Sequence, residues 1–194
     1  MSRPVSVAIT GGIGAGKSEA LAAFARHGAA TVSSDEIVHH LLRRADVRAA
    51  VVARMGQGIV DDDGEIDRSA LATVVFNDRE ALAWLEEALH PLVAAEYLEW
   101  REQLGRLEDA PRVCATEVPL LYESGAEERF DTVVVITAPT KLRRSRSPVA
   151  VESREARLLP DREKVERADY SYVNTGSLEE LDEFVSSVLH DLNA

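Results

Sequence analysis

Gly11-Gly12-Ile13-Gly14-Ala15-Gly16-Lys17-Ser18 fits G-x-x-x-x-G-K-[ST], the phosphate-binding P-loop pattern. The run in front of it, Val5-Ser6-Val7-Ala8-Ile9-Thr10, is apolar and partly β-branched, as a buried parallel strand is. Behind it, Glu19-Ala-Leu-Ala-Ala-Phe-Ala-Arg is strongly helix-forming. Strand, glycine loop and helix therefore follow in the order the motif needs. Glycines let the backbone curl round an anion with its N–H groups inward, and the helix beginning near Lys17 adds the positive end of its dipole. The binding surface for a nucleoside triphosphate then comprises Gly12, Ile13, Gly14, Ala15, Gly16, Lys17, Ser18 and Glu19. Lys17 reaches the β- and γ-phosphates of that nucleotide, and the Ser18 hydroxyl completes the shell of a Mg²⁺ ion between them. The motif does not name an acceptor.

The chain beyond the loop reads as alternating strands and helices. Gly28 ends the first helix, and Ala29 to Ser33 is a second strand with Asp35 just past its carboxyl end. Open α/β sheets bind ligands at that edge, so Asp35 can accept a proton from an attacking hydroxyl. Equally, Ser34 or Asp35 can cap the following helix, Glu36 to Arg44. His39 and His40 are neighbours on that helix and point apart, which suits a solvated pair better than a metal site. Asp61-Asp62-Asp63-Gly64 lacks the ligand spacing of a calcium loop and reads as a turn. Arg68 to Val75 and Asp78 to Leu89 read as helices, His90-Pro91 as a break, and Leu92 to Leu107 as a further amphipathic helix.

Arg112 to Glu117 is a third strand ending on an acid, and Glu117 stands where a carboxylate supports Mg²⁺. Asp131 to Thr137 is a fourth strand, the clearest buried one, and Tyr170 to Asn174 a fifth, followed by a helix from Leu178 to Leu189. Between them, Lys141 to Arg167 is locally basic, and Arg143, Arg144, Arg146, Arg154 and Arg157 suit a lid that neutralises charge on a transferred phosphoryl group. Such arginines also occur on plain solvated helix faces. Cys114, the one cysteine, lies in an apolar run and reads as a buried thiol.

The whole chain of 194 residues carries a formal charge of −12, which argues against general affinity for nucleic acid or an anionic membrane. It holds no apolar stretch of membrane-spanning length, and Met1-Ser2-Arg3-Pro4 leads directly into the first strand, so a cytoplasmic protein is expected. The fold expected is α/β: a P-loop NTPase with a five-stranded parallel sheet flanked by helices. It forms a single domain over 1–194. The core covers about 1–60 and 111–194, a helical insertion about 61–110 and a lid about 140–162.

These residues resemble the dephospho-CoA kinase family over nearly the whole length. The likeness rests on Thr10 to Glu19, Asp35-Glu-Ile, Asp63-Gly-Glu-Ile-Asp-Arg68, Leu71, Val75-Phe76 and Leu89-His-Pro-Leu92. It continues through Val118-Pro-Leu-Leu-Tyr-Glu123, Lys164, Ala168-Asp169, Asn174 and Gly176. The resemblance implies transfer of the ATP γ-phosphoryl to the ribose 3′-hydroxyl of dephospho-CoA, the last step of coenzyme A synthesis. It also implies a single P-loop kinase domain of the nucleoside-monophosphate-kinase type, a general base at Asp35, substrate positions at Asp35, Arg68, His90, Pro119 and Leu120, and a small-molecule enzyme, monomeric or weakly homo-oligomeric. Within it the transition state falls to Lys17, Arg144 and Arg146, with Ser18 and Glu117 at the metal. The chain departs from the family pattern in several places. Ser33-Ser34-Asp35 stands where Asp-Ala-Asp is usual, His39 where arginine often stands, and Glu117 where aspartate is common. Lys141 and Leu158 replace glutamines, and the segment before Arg154 is several residues short. Rival readings are a P-loop kinase for another small hydroxyl acceptor and a nucleotide-binding protein without transfer activity.

Overall fold

The computed structural model describes residues 3–146 and 158–193, so Arg154 and Arg157 of the expected lid lie outside the described residues. Five parallel strands form one sheet: β1 (Val5–Gly11), β2 (Ala30–Ser33), β3 (Val113–Glu117), β4 (Thr132–Thr137) and β5 (Tyr170–Val173), in the order β2-β3-β1-β4-β5. In register, Ile9 pairs with Glu117 and Val134, and Ser33 also pairs with Glu117, so the ends of β1, β2 and β3 lie at one edge. The helices are α1 (Lys17–Arg26), α2 (Ser34–Arg43), α3 (Ala45–Met55), α4 (Arg68–Asn77), α5 (Arg79–Gly105), α6 (Thr140–Arg146), α7 (Asp161–Glu166) and α8 (Leu178–Asn193). Among the described residues no helix is long and apolar enough to cross a membrane.

The apolar run of each central strand divides between two faces. Val7 and Ile9 of β1 and Val134 and Ile136 of β4 pack with Phe24 of α1 and with Leu181 and Val185 of α8. Ala8, Val133 and Val135 point the other way, onto Leu121 and Tyr122. Period-two alternation under cover on both sides explains why β4 reads as a continuous apolar string. Where β1 ends, Gly11 (φ 141) approaches β4 so closely that a Cβ would stand 1.9 Å from the Ile136 carbonyl oxygen. At the opposite edge Asp131 ties three elements together. Its Oδ2 accepts from the Ser6 amide (2.9 Å) and hydroxyl (2.8 Å) and also pairs with the buried Arg101 of α5. Burial pushes the Asp131 carboxyl up, but the Ser6 bonds and Arg101 outweigh it and hold it below the ordinary value.

The chain divides into two compact units, one of Met1–Ser33 with Arg101–Ala194 and one of Ser34–Trp100. The second has its own core of Leu42, Val47, Val51, Ile59, Leu71 and Leu89. In it the acidic run after Val60 is a turn: the Asp61 carboxylate accepts from the Asp63 (3.0 Å) and Glu65 (2.9 Å) amides, with Gly64 at φ 81. Asp67 caps α4 by accepting from the Ser69 amide at 2.8 Å.

The break expected at His90-Pro91 is absent: α5 runs unbroken for 27 residues with Pro91 inside it. A proline there forgoes one i→i−4 bond. Pro91 is exposed, while Leu89 before it is buried and Leu92 after it packs on the same apolar cluster, so packing on both sides carries the helix through. Phe24 is fully buried between sheet and α8, and Phe24→Ala is expected to cost about 3–5 kcal/mol. Urea unfolding of the two proteins, with the slope unchanged, measures it.

Candidate active site

The loop between β1 and α1 wraps backwards on itself. Gly14 and Gly16 have φ values of 72 and 102, a left-handed conformation that glycine adopts without strain. Gly16 is also the residue before α1, and among the described residues no side chain caps that helix end, an arrangement that suits an anion. The carbonyls of the loop are held by side chains, and Gly12 O accepts the Ala15 amide (3.2 Å) as well. Gly12 O accepts from Lys17 Nζ (3.2 Å), Ile13 O from Arg143 Nε (2.9 Å), Gly14 O from Arg146 (3.3 Å) and Ala15 O from Asn174 Nδ2 (2.9 Å).

Three side chains converge at the mouth of the loop. Ser18 Oγ donates to Glu117 Oε2 at 2.8 Å, and Lys17 Nζ lies 3.7 Å from Glu117 Oε1. Glu117 is there because it is the last residue of β3, adjacent to β1. Burial pushes the Lys17 amine below its ordinary value; Glu117 pulls it back up, and the Lys164 and Arg143 cations push it down again. A Lys lowered in this way costs stability at neutral pH, and the cost fades as pH rises from the lowered value toward the ordinary 10.5. An anion seated in the loop reverses the balance by favouring the charged amine. Behind the site the fully buried Lys164 of α7 lies 2.9 Å from Glu123 Oε1, which also accepts the Leu159 amide at 2.8 Å.

Of the arginines read from the sequence, Arg143 is buried: beside Ile13 O, it holds Asp161 at 3.0 Å, and a Cβ on Gly12 would stand 2.7 Å from its guanidinium carbon. Arg146 lies on Gly14 O, and Arg144 is exposed. Glu19, in the first turn of α1, pairs with Arg26 at 3.0 Å. Pro119 and Leu120 follow β3 in the same unit, Pro119 exposed and Leu120 half-buried. Asp35 (first turn of α2), Arg68 (first residue of α4) and His90 (within α5) belong to the other unit, and all three are exposed. The residue the sequence reading left without a role is Asn174, buried at the end of β5. Its place just past a parallel strand, at the edge the P-loop occupies, was the available signal.

A sequence model described as CoaE, dephospho-CoA kinase, matches residues 5–180. The chain belongs to the dephospho-CoA kinase family. The dephospho-CoA kinase of Protochlamydia amoebophila is 38% identical over 195 residues, which cover 96% of this chain and 95% of the relative. Among solved structures, TT1252 from Thermus thermophilus superposes with a TM-score of 0.78 at 33% identity, covering 98% of this chain and 99% of that one. The dephospho-CoA kinase from Campylobacter jejuni gives 0.68 at 25% identity, with 98% of each chain covered. A member of this family is a P-loop kinase.

The contrast between adjacent arginines is measurable. Removing Arg143 leaves Asp161 and a loop carbonyl without their partner, so Arg143→Ala is expected to cost about 1–3 kcal/mol in urea unfolding. Arg144→Ala should leave the midpoint near that of the unaltered protein.

Proposed function

We propose that this chain transfers the γ-phosphoryl group of ATP to the 3′-hydroxyl of dephospho-CoA, giving coenzyme A and ADP. The observation that carries the reading is the convergence of Lys17, Ser18 and Glu117 at the mouth of the glycine loop, in a chain of this family. A hydroxyl and a carboxylate oxygen 2.8 Å apart are hard donors that fit Mg²⁺, a cation that keeps most of its shell as water and phosphate oxygens. Ser18 would hold it directly and Glu117 from behind; when bound, it draws charge from the phosphate oxygens.

In the proposed reaction the loop amides and Lys17 fix the β- and γ-phosphates in line with the acceptor, which is most of what phosphoryl transfer asks of a protein. Asp35 orients the ribose hydroxyl and takes its proton as the oxygen–phosphorus bond forms and the bond to ADP breaks. Arg68, His90, Pro119 and Leu120 hold the acceptor. Arg144 and Arg146 stabilise charge on the phosphoryl group in flight. For Arg146 this requires leaving the Gly14 carbonyl, 3.3 Å away, when the triphosphate arrives. Exposed Arg144 is available without such a step.

Incubation with Mg-ATP should release ADP only when dephospho-CoA is present, and mass analysis should find one phosphate added to the acceptor. ATP binding without acceptor-dependent ADP release would defeat the proposal. Asp35→Asn should retain ATP binding and lose turnover by about 10²- to 10⁴-fold. Turnover that survives the change would reduce Asp35 to a helix-terminus residue.

A further inference from the structure

Asn174 is a buried polar side chain to which the reaction above gives no task. Its backbone amide and both ends of its carboxamide are committed. Its backbone amide donates to Thr137 O at 2.7 Å, continuing the ladder between β5 and β4. Its Nδ2 donates to Ala15 O at 2.9 Å, and its Oδ1 accepts from the Gly176 amide at 2.9 Å. The orientation of the carboxamide is forced, because a backbone carbonyl can only accept and an amide can only donate. The contact with the loop is close: a Cβ on Gly16 would stand 2.3 Å from Nδ2. A glycine is therefore required at Gly16 by Asn174 as well as by its φ of 102.

We infer that Asn174 is a positioning residue for the phosphate-binding loop, setting the direction of the Gly16 amide by holding the Ala15 carbonyl. The peptide unit is planar and trans, so the carbonyl of one residue and the N–H of the next point opposite ways across it. Pulling Ala15 O outward onto Nδ2 turns the Gly16 N–H inward, toward the space enclosed by the loop. Arg143 does the same for Gly14 through the Ile13 carbonyl. The two differ in where they come from. Arg143 sits on α6, within the segment read as a lid, whereas Asn174 sits at the end of the sheet, bonded to β4. Asn174 keeps the Gly16 amide preorganised whatever the lid does. In its absence the Ala15 peptide can rotate, and the triphosphate must pay the ordering cost on binding.

The inference rests on the phosphate-binding half of the proposed function and not on the identity of the acceptor. Its test is ADP binding by calorimetry and competition by inorganic tripolyphosphate against ATP, using Asn174→Ala and Asn174→Asp. The second keeps side-chain volume and the Gly176 bond while replacing the donor that faces Ala15. Both variants are expected to weaken ADP and tripolyphosphate by a similar factor, about tenfold or more, the range for a lost bond to a buried group. The KM for ATP should rise while that for dephospho-CoA stays within about twofold, a split that general loosening of the fold does not produce. Unaltered tripolyphosphate competition in either variant overturns the inference, since a residue that touched only the base would spare that probe. Equal changes in both KM values overturn it too. If the unaltered enzyme binds ADP and tripolyphosphate yet transfers nothing to dephospho-CoA, only the acceptor assignment falls.

Discussion

Four successive carbonyls of the glycine loop, from Gly12 to Ala15, each call for a side-chain donor, and Gly12 O takes the Ala15 amide within the loop as well. That requirement reaches far in sequence. Lys17 supplies one from the adjoining helix, Arg143 and Arg146 two from α6, and Asn174 the fourth from the end of β5. The parallel sheet makes this possible, because β4 and β5 lie successively beside β1 and deliver their carboxyl ends to the same edge. On the other flank β3 does likewise and sets Glu117 against Lys17 and Ser18. The loop is shaped less by its own glycines, which only permit the conformation, than by the donors that select it.

The electrostatics follow the same geometry. An acidic chain concentrates buried cations around one small space: Lys17 among Glu117, Lys164 and Arg143. Lys164 is neutralised by Glu123, Arg143 by Asp161, and Lys17 in part by Glu117. Burial, with the Lys164 and Arg143 cations adding to it, holds the Lys17 amine below its ordinary value despite Glu117. A site left in that condition gains from the arrival of phosphate in two ways, through the charge pairing itself and through relief of a buried charge poorly balanced before.

The order of strands and helices was legible because β1 and β4 are apolar runs buried on both faces and the first and last helices carry an apolar stripe toward them. The P-loop was legible because the motif is local: all its chemistry lies in consecutive residues. What depended on tertiary contacts was not. Pro91 looked like a break because the missing amide is a property of the residue, whereas the apolar contacts of Leu89 and Leu92 that sustain α5 belong to the fold. The arginine-rich segment was visible as composition, but composition assigns no direction. Arg143 turns inward to a carbonyl and Arg144 outward, though they are neighbours, because adjacent helical residues point about 100° apart. Asn174 carried a signature of position only, since the carbonyl it serves is far away in sequence, at Ala15.

Cys114 is the second residue of β3, paired with Ser6 on one side and Ala30 on the other, and is wholly shielded from solvent. Its sulfur can meet an alkylating reagent only when the sheet itself comes apart. The molecule thus contains a native clock: the rate at which this one thiol is trapped counts openings of the central sheet, and a nucleotide seated on the adjoining loop should slow the count.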